Sequence, residues 1–224
     1  MRDPSRDPTG EKLAPKAVVG RVSLYLRQLE TLQRQGYTTV SSSQLGSALV
    51  INNAQIRKDL AFFGQFGYPG IGYRIDELSV TLRHILGIDR EWPLAMVGMG
   101  NLGRALLNYR GFKSRGFHIV ALFDNDPEKI GQIFDGLTVL PIESLRKTVS
   151  THDITLAVLS VPADFAQLVA DLMIASGILG ILNFAPVPLI VPPSVNVVGV
   201  DLSVQLEHLA YKVQNTPGGI SHAG

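Results

Sequence analysis

The chain contains no cysteine. This absence excludes disulfides, zinc sites built from thiolates and a cysteine nucleophile, so any redox role must come through a bound cofactor. No uninterrupted apolar run reaches the roughly 18 residues from which a membrane-spanning helix is predicted. Residues 1–10 also lack the apolar core of a signal peptide. These absences predict a protein that stays in the cytoplasm and does not enter a membrane.

Histidine is scarce as well. The five histidines show neither metal-ligand spacing nor a paired acid, and they are His84, His118, His152, His208 and His222. Each is interpreted as an ordinary surface or core histidine. The sequence therefore predicts no metal site and no catalytic residue.

Charge is nearly balanced over the whole chain, with a net of +1, but it is unevenly distributed. Residues 1–90 hold 12 lysines and arginines against 8 aspartates and glutamates, whereas residues 91–224 hold 8 against 11. The basic excess of the first part predicts an anionic macromolecular partner for that part alone.

A glycine-rich motif lies in the middle of the chain. Residues 94–97 form a short apolar run, the motif Gly-x-Gly-x-x-Gly follows, and a helical apolar pattern comes next. Gly98 permits a tight turn, Gly100 lets a pyrophosphate approach the backbone, and Gly103 lets the new helix lie close to the strand. The helix N-terminus then presents free N–H groups to the anion. The predicted cofactor-binding residues of this loop are Gly98, Met99, Gly100, Asn101, Leu102 and Gly103.

A second apolar run, residues 117–123, ends in Asp124, which follows Gly103 by 21 residues. At that spacing an acidic side chain hydrogen-bonds the ribose 2′-hydroxyl of a dinucleotide and repels a 2′-phosphate. Strand, glycines, helix, strand and Asp124 together predict a Rossmann domain that binds NADH and NAD⁺ in preference to NADPH. The alternative is an ordinary βα turn with an acidic loop cap.

Strands and helices alternate after Asp124, as a parallel sheet requires. The pattern predicts helices over 127–130, 141–147 and 164–176, and strands over 137–140, 153–160, 180–183 and 195–200. The Rossmann domain is expected to span residues 92–200. Ligands of such sheets bind at the carboxyl ends of the strands. The residues predicted to form the walls around the nicotinamide are Val161, Pro162, Asn183, Ala185 and Pro186. The alternative is that these proline-containing loops are plain connections.

Apolar spacing in the first part of the chain predicts helices, which makes the whole an α/β protein with a helical N-terminal domain over residues 17–88. Residues 17–35 form the first helix, Ser41 and Gln44 form a capping box for the second, and Asn52 caps a third over residues 53–63. The second and third helices form a helix-turn-helix.

Residues 64–75 are dense in glycine and aromatic residues and predict a tight β-hairpin. A hairpin in this position is the wing of a winged helix. Asp76 is expected to cap a fourth helix that ends at Gly87.

The third helix carries small and basic residues on its exposed face. Ala54, Lys58 and Ala61 share one side, where bulk would hold the helix away from the bases of a DNA major groove. The predicted DNA-binding residues are Ser43, Gln55, Arg57, Lys58, Gly70, Gly72 and Arg74. The alternative is the solvated face of an ordinary helical hairpin.

The last predicted helix, within residues 201–214, is too apolar to stand alone. It needs a surface to cover, either the sheet of its own chain or a second subunit. Residues 1–16 and 215–224 are expected to be a disordered arm and a disordered tail.

Several motifs together resemble the Rex family of redox-sensing transcriptional repressors. They are QIRKDLAFFG at residues 55–64, GIGY at 70–73, VGMGNLG at 97–103, Phe123-Asp124 and NFAP at 183–186. The resemblance implies a winged-helix domain, a Rossmann domain that binds NADH and NAD⁺, and a C-terminal helix exchanged between the subunits of a homodimer. It also implies repression at inverted-repeat operator DNA and release of that DNA when NADH rises.

The resemblance further implies a switch in which Asp201 pairs with Arg27 in one state and with Tyr109 in the other. The alternative is that these three residues are ordinary surface or interface groups.

The competing function is a small NAD-dependent oxidoreductase with an appended helical domain. Such an enzyme needs a proton-handling residue and a substrate domain, and no segment is left to build one. We therefore predict a repressor and not an enzyme.

Overall fold

Helices come first along the chain and a parallel sheet follows. The structure, a computed structural model, describes residues 14–216. The chain divides into two units, and the division falls between Glu91 and Trp92. The predictions for residues 1–13 and 217–224 lie outside the described residues. Across residues 14–216, no helix combines the length and the apolar character that crossing a membrane requires.

The first unit has a helical core with a small antiparallel sheet. Its elements are α1 (Lys16–Arg34), β1 (Thr39–Val40), α2 (Ser42–Leu49), α3 (Asn53–Ala61), β2 (Tyr73–Arg74) and α4 (Ile75–Ile85). Apolar residues from all four helices form one buried cluster, in which Tyr25, Leu45, Ile56 and Leu82 are fully enclosed. Removal of these side chains from water is the main force that holds the helices together.

The helices α2 and α3 begin where the sequence predicts. The Ser41 hydroxyl accepts a hydrogen bond from the Gln44 N–H at 3.1 Å, and the Gln44 side-chain oxygen accepts one from the Ser41 N–H at 2.8 Å. Asn52 caps α3 by accepting a hydrogen bond from the Ala54 N–H at 2.8 Å. These contacts satisfy N–H groups that the first turn of a helix leaves unpaired. The predicted starts of the two helices are confirmed.

The prediction that Asp76 caps α4 is wrong. The helix begins at Ile75, and Arg74 occupies the N-cap position. Among the described residues, no side chain accepts a capping hydrogen bond at this end of α4. Asp76 lies inside the first turn, where its charge still favours the helix through the helix dipole.

The prediction of a hairpin within residues 64–75 is only partly right. An isolated bridge between Tyr68 and Gly72 closes the loop, but β2 pairs with β1, with Thr39 opposite Arg74. The predicted hairpin is therefore a wing whose last strand pairs with the segment that precedes α2.

The helix α3 ends at Ala61, so the predicted helix over 53–63 is two residues too long.

The second unit is built on a seven-stranded sheet. Its strands are β3 (Trp92–Val97), β4 (Phe117–Asp124), β5 (Ile133–Phe134), β6 (Leu137–Pro141), β7 (Leu156–Leu159), β8 (Gly180–Asn183) and β9 (Asn196–Gly199). They lie in the order β5-β6-β4-β3-β7-β8-β9. Neighbouring strands are parallel except for β5 with β6. The predicted parallel sheet is confirmed.

Helices connect these strands. They are α5 (Asn101–Leu107), α6 (Arg110–Lys113), α7 (Leu145–Thr151), α8 (Ala163–Ala175) and α9 (Leu202–Gln214), with a 3₁₀ turn at Ile142–Ser144. Successive residues of β3 belong to different buried clusters, Ala95 and Val97 to one and Leu94 and Met96 to the other. Because strand side chains alternate between faces, both faces of the sheet are buried.

Three local predictions for this unit need correction. Residues 127–130 form hydrogen-bonded turns and no helix. The helix predicted over 141–147 is the 3₁₀ turn followed by α7. The strand predicted over 153–160 is shorter, Leu156–Leu159, since Asp153 adopts a positive φ of 49° that an extended strand does not allow.

The helix α9 leaves its apolar side chains uncovered. It spans the predicted residues, and Asp201 caps it by accepting a hydrogen bond from the Ser203 N–H at 2.8 Å. The exposed apolar residues of α9 are Leu202, Val204, Leu206, Leu209, Tyr211 and Val213. The helix therefore does not cover the sheet of its own chain, which was one of the two surfaces considered for it.

Val50, in the turn between α2 and α3, combines backbone strain with an exposed apolar side chain. Its φ and ψ of 55° and 42° lie in the left-handed region, which costs an L-residue roughly 1–2 kcal/mol. The side chain is 94 % exposed. Packing therefore does not offset the strain.

We expect Val50→Gly to stabilise the first unit by about 0.5–1 kcal/mol, because relief of the strain exceeds the added freedom of glycine in the unfolded chain. The midpoint of urea unfolding measures this change. Val50→Ala keeps the Cβ and is the control, with a much smaller expected effect. A lower midpoint for Val50→Gly than for the wild type would contradict the assignment of strain.

Candidate cofactor site and DNA-binding surface

The glycine loop joins β3 to α5 through backbone contacts that leave no room for a side chain at Gly98 or Gly103. Gly98 has a φ of +97°, and a Cβ there would lie 2.5 Å from the Ser160 carbonyl oxygen. At Gly103 a Cβ would lie 2.0 Å from the Gly98 carbonyl oxygen. The Ser160 hydroxyl, which follows β7, donates a hydrogen bond to that same carbonyl at 2.8 Å. The loop is therefore packed tightly between β3, β7 and α5.

Gly100 differs from the other two glycines of the motif because open space surrounds it. Among the described residues, no atom beyond Gly100 and its two chain neighbours lies within 4 Å of the position that its Cβ would take. The missing side chain therefore leaves the backbone accessible to a ligand. Asn101 begins α5 directly afterwards, and its side-chain oxygen accepts a hydrogen bond from the Arg104 guanidinium at 2.7 Å. A ligand phosphate can approach this end of the loop.

The Asp124 carboxylate fastens the loop to β4. It is 7 % exposed and accepts hydrogen bonds from the Met99 N–H at 2.7 Å and the Asp126 N–H at 2.9 Å. The Lys129 ammonium lies 3.2 Å from Oδ2. Burial by itself raises the pKa of Asp124, but these three donors outweigh it and hold the pKa below its ordinary value. The carboxylate is ionised at neutral pH.

These residues border a cleft of about 600 Å³ at the carboxyl ends of β3, β4 and β7. The volume lies in the range of sites for small molecules and cofactors. The predicted cofactor-binding residues that line this cleft are Gly98, Gly100, Asp124, Val161 and Pro162.

Several residues that line the same cleft are not among the predicted site residues. Ser160 and Lys129 are polar, and the apolar lining residues that were missed include Ile142, Phe165, Leu168, Val169 and Leu172. Ser160 directly precedes the predicted Val161, so its position at a strand end was a usable signal. Lys129 reaches Asp124 because residues 127–130 form turns and no helix. The sequence pattern alone predicts a helix over residues 127–130.

Four residues of the predicted loop set do not line the cleft. The Met99 side chain is buried, and its N–H is bonded to Asp124. Gly103 is buried and serves the packing of α5. Asn101 and Leu102 lie exposed on α5, next to the loop.

Asn183, Ala185 and Pro186 follow β8, the strand next to β7. They line a separate cleft of about 440 Å³ beside β8 and β9, together with Asp201. The buried Asn183 amide donates a hydrogen bond to the Val187 carbonyl at 2.9 Å and accepts one from the Ala185 N–H at 2.9 Å. Asn183 therefore shapes its own loop, and the Phe184 N–H ties that loop to the end of β7 by a hydrogen bond of 2.9 Å to the Leu159 carbonyl. Its predicted place in the nicotinamide wall stays a prediction.

In the first unit, a groove of about 430 Å³ lies between the start of α2, α3 and the wing. Arg57 lines it, and its guanidinium donates a hydrogen bond to the Ser42 hydroxyl at 3.2 Å. Gly70 and Gly72 belong to its opposite wall. Lys58, next to Arg57 on α3, is exposed. Two neighbouring cations beside a glycine-rich wall suit the phosphates and base edges of DNA.

Arg74 is engaged within the unit. Its guanidinium forms an ion pair with Glu77 at 2.7 Å, and the Tyr68 hydroxyl donates a hydrogen bond to the same carboxylate at 3.1 Å. The pair is about half exposed, so it contributes little stability by itself. Glu77 nevertheless connects both ends of the wing to α4.

Two more of the predicted DNA-binding residues also have partners inside the unit. The Ser43 hydroxyl accepts a hydrogen bond from the Asn53 amide at 3.3 Å. The Gln55 amide donates one to Asp59 at 2.7 Å. Both contacts orient side chains at the start of α3.

The three residues of the predicted switch are exposed. Arg27 lies on the outer face of α1 in the first unit. In the second unit, Asp201 caps α9, and the Tyr109 ring packs edge-on against Phe112. A Cβ at Gly111 would lie 2.3 Å from the Tyr109 ring, so the glycine makes room for the ring.

Two family models match the chain, one in the first unit and one mostly in the second. The model described as "Putative DNA-binding protein N-terminus" matches residues 14–61, which hold α1, α2 and α3. The model described as "CoA binding domain" matches residues 89–187, which hold the glycine loop and most of the parallel sheet.

Solved structures of RSP, a Rex-family repressor, are similar to this chain. RSP in complex with beta-NAD⁺ and operator DNA has a TM-score of 0.87 and 34 % identity, covering 91 % of this chain and 94 % of that chain. RSP in complex with beta-NADH has a TM-score of 0.83 and 33 % identity, covering 91 % and 96 %.

Curated relatives carry the similarity further. The redox-sensing transcriptional repressor Rex of Desulfitobacterium hafniense is 45 % identical over 199 residues, which are 89 % of this chain and 95 % of that protein. The repressor Rex of Streptomyces avermitilis is 41 % identical over 213 residues, 95 % of this chain and 84 % of that protein. With such identity across both the helix-turn-helix and the glycine loop, the chain belongs to the Rex family of redox-sensing transcriptional repressors.

Proposed function

We propose that this chain represses transcription by holding operator DNA with its first unit, and that NADH bound in the glycine-loop cleft of its second unit releases the DNA. The main support for the proposal is the composition of the cleft, in which the accessible Gly100 lies beside the buried, ionised Asp124. Its relative RSP is described in one complex with beta-NAD⁺ and operator DNA and in another with beta-NADH. Family membership supports this function over that of an NAD-dependent oxidoreductase.

The cleft fits a dinucleotide in position and chemistry. It lies where the strand order reverses, between β3 and β7, and open parallel sheets bind dinucleotides at such points. Gly100 leaves backbone free for the pyrophosphate, and Val161 and Pro162 supply an apolar wall. In the described chain, Oδ1 of Asp124 accepts one hydrogen bond, from the Asp126 N–H. A second lone pair on that oxygen remains for the ribose hydroxyl.

The same unit is proposed to form a homodimer through α9. An isolated helix of this length is marginal in water, and its apolar side chains are exposed in the single chain. Exchange of α9 between two subunits covers these side chains on both copies at once. A two-fold dimer presents two α3 helices, and two helices related by a two-fold axis fit an inverted-repeat operator.

NADH is proposed to act by changing the partner of Asp201. A ligand shifts an equilibrium only through different affinity for the two states, and a shift from 1:99 to 99:1 takes about 5.5 kcal/mol. The exchange of Asp201 between Arg27 and Tyr109 supplies such a difference. The exposure of all three side chains leaves them available for it.

A DNA-binding titration tests the proposed function. Labelled duplexes with an AT-rich inverted repeat are mixed with the full chain, and NADH, NAD⁺ or NADPH is added separately. We expect binding without NADH and release at a lower concentration of NADH than of either other dinucleotide. Oxidation of NADH with a small keto acid, or no response of the complex to NADH, would contradict the proposal.

Arg57 and Lys58 are expected to carry DNA binding. If Arg57 contacts a base with both guanidinium nitrogens, Arg57→Ala should cost roughly 1–3 kcal/mol and relax sequence preference. Lys58→Ala should weaken all sequences alike and reduce the salt dependence of binding. Fluorescence anisotropy at several salt concentrations measures both effects. Lys113→Ala, an exposed cation in the second unit, is the control. Equal affinity of all three variants and the wild type would rule out α3 as the recognition helix.

Asp124 is expected to select NADH over NADPH. Asp124→Asn keeps an acceptor for the Met99 N–H but removes the negative charge, so the preference for NADH over NADPH should fall roughly tenfold, about 1.4 kcal/mol. Calorimetric titration with each dinucleotide measures the ratio. Asp126→Asn, which removes the other carboxylate beside Lys129, is the matched control and should change the ratio less. Equal binding of NADH and NADPH by the wild type would show that Asp124 does not select.

Tyr109→Phe and Asp201→Ala are expected to separate NADH binding from DNA release. Both variants should still bind NADH. Tyr109→Phe removes the Asp201 contact of one state, so a higher NADH concentration should be needed to release DNA. Asp201→Ala removes the contacts of both states, so DNA binding should respond less to NADH. NADH affinity and DNA release are measured in parallel on each protein. If both variants release DNA at the wild-type NADH concentration, the Asp201 exchange is not the switch.

A further inference from the structure

Asp59, on α3, is buried directly beneath the predicted DNA-binding face. Its side chain is 1 % exposed. Oδ2 accepts hydrogen bonds from Arg21 Nε at 2.6 Å and from the Tyr25 hydroxyl at 2.7 Å. Oδ1 accepts hydrogen bonds from Arg21 Nη2 at 2.8 Å and from Gln55 Nε2 at 2.7 Å. A carboxylate has about four positions at which it accepts hydrogen bonds, and here all of them are used.

This network keeps Asp59 ionised. Burial raises the pKa of Asp59, but the hydrogen bonds from Arg21, Tyr25 and Gln55 outweigh it and hold the pKa below its ordinary value. The hydrogen bond to Asp59 is in turn the largest cause that raises the pKa of Arg21. An ionised carboxylate accepts hydrogen bonds and donates none. Every neighbour must therefore turn a donor toward it.

This requirement fixes the orientation of the Gln55 side chain. Its amide nitrogen faces Asp59, so its oxygen points away from Asp59. The reverse orientation would bring two acceptors together and leave a buried charge one hydrogen bond short, which costs more than an ordinary lost bond. When Asp59 takes the N–H that is trans to the oxygen, the free edge of the amide carries the oxygen and the second N–H side by side.

That free edge complements adenine in the major groove. Adenine offers the N6–H donor and the N7 acceptor, which pair with the oxygen and the N–H of a glutamine amide. Guanine offers two acceptors, O6 and N7, and O6 would face the amide oxygen. Gln55 lies in the first turn of α3, and the N-terminal residues of a recognition helix are the ones that contact bases.

We propose that Asp59 is a positioning residue for operator choice, because it fixes the amide of Gln55 so that Gln55 reads adenine and rejects guanine. The proposal rests on the proposed function, in which α3 enters the major groove of operator DNA. It adds a preference for adenine over guanine, and it attributes that preference to Asp59, which does not itself contact DNA.

The test uses the full chain and a pool of DNA duplexes randomised in two inverted half-sites. Wild-type protein selects from the pool, and the selected sequences define a preferred duplex. Affinities are then measured for this duplex and for versions with A·T replaced by G·C at one symmetric position at a time. At one position the wild type should prefer A·T by a factor of roughly 5 to 150.

Two variants and a matched control follow from the network. Gln55→Met keeps the length of the side chain but has no amide, so the preference at that position should fall close to one while the other positions are unchanged. Asp59→Asn offers Gln55 a donor as well as an acceptor, so the amide can turn over and guanine becomes tolerated. Tyr25→Phe removes a different hydrogen bond of the same length from the same carboxylate. It should lower stability and leave base preference unchanged.

The outcomes separate the inference from the proposed function. If Gln55→Met keeps every base preference, or if Tyr25→Phe changes the preference as much as Gln55→Met does, the inference is overturned. NADH-dependent release of DNA by both variants would then leave the proposed function standing. A preference for G·C at the Gln55-dependent position would also overturn the inference. Failure of the wild type to bind any duplex overturns both. If Asp59→Asn does not fold, the base preferences of Gln55→Met and Tyr25→Phe are compared, and this comparison still tests the inference.

Discussion

A buried, ionised carboxylate at the end of β4 holds the glycine loop, and the geometry of the cleft depends on it. Asp124 accepts the Met99 N–H and so joins the first two strands of the second unit at their carboxyl ends. The same side chain borders the cleft in which we propose that the dinucleotide binds. We therefore expect Asp124 to influence both the geometry of the loop and the choice of cofactor. A variant that tests the charge alone has to preserve the hydrogen bond from the Met99 N–H.

The first unit uses the same physical device. Asp59 joins α3 to α1 through a two-pronged contact with Arg21 and a hydrogen bond from Tyr25. Removing one partner of a buried ion pair is costly because the other charge stays behind without compensation. In each unit, then, a buried aspartate orients a segment that we propose contacts a ligand: the glycine loop in one and the start of α3 in the other.

Features set by neighbouring residues could be predicted from the sequence, and features set by distant ones could not. The caps at Ser41 and Asn52 and the glycine loop follow from short motifs, and the structure has them in place. The pairing of β2 with β1 and the contact of Lys129 with Asp124 depend on the tertiary fold. The position of the Asn183 loop beside the end of β7 likewise depends on where β8 lies in the sheet.

Family membership makes a redox-sensing repressor of this chain, and we propose that the NADH/NAD⁺ ratio decides whether it holds DNA. The direct measurement is the fraction of a labelled operator duplex bound by the full chain while the total dinucleotide concentration is held constant and the ratio is varied. We expect the bound fraction to fall as the NADH share rises, and we expect no fall when NADPH replaces NADH. A bound fraction that stays constant across all ratios, while both dinucleotides bind, would contradict it.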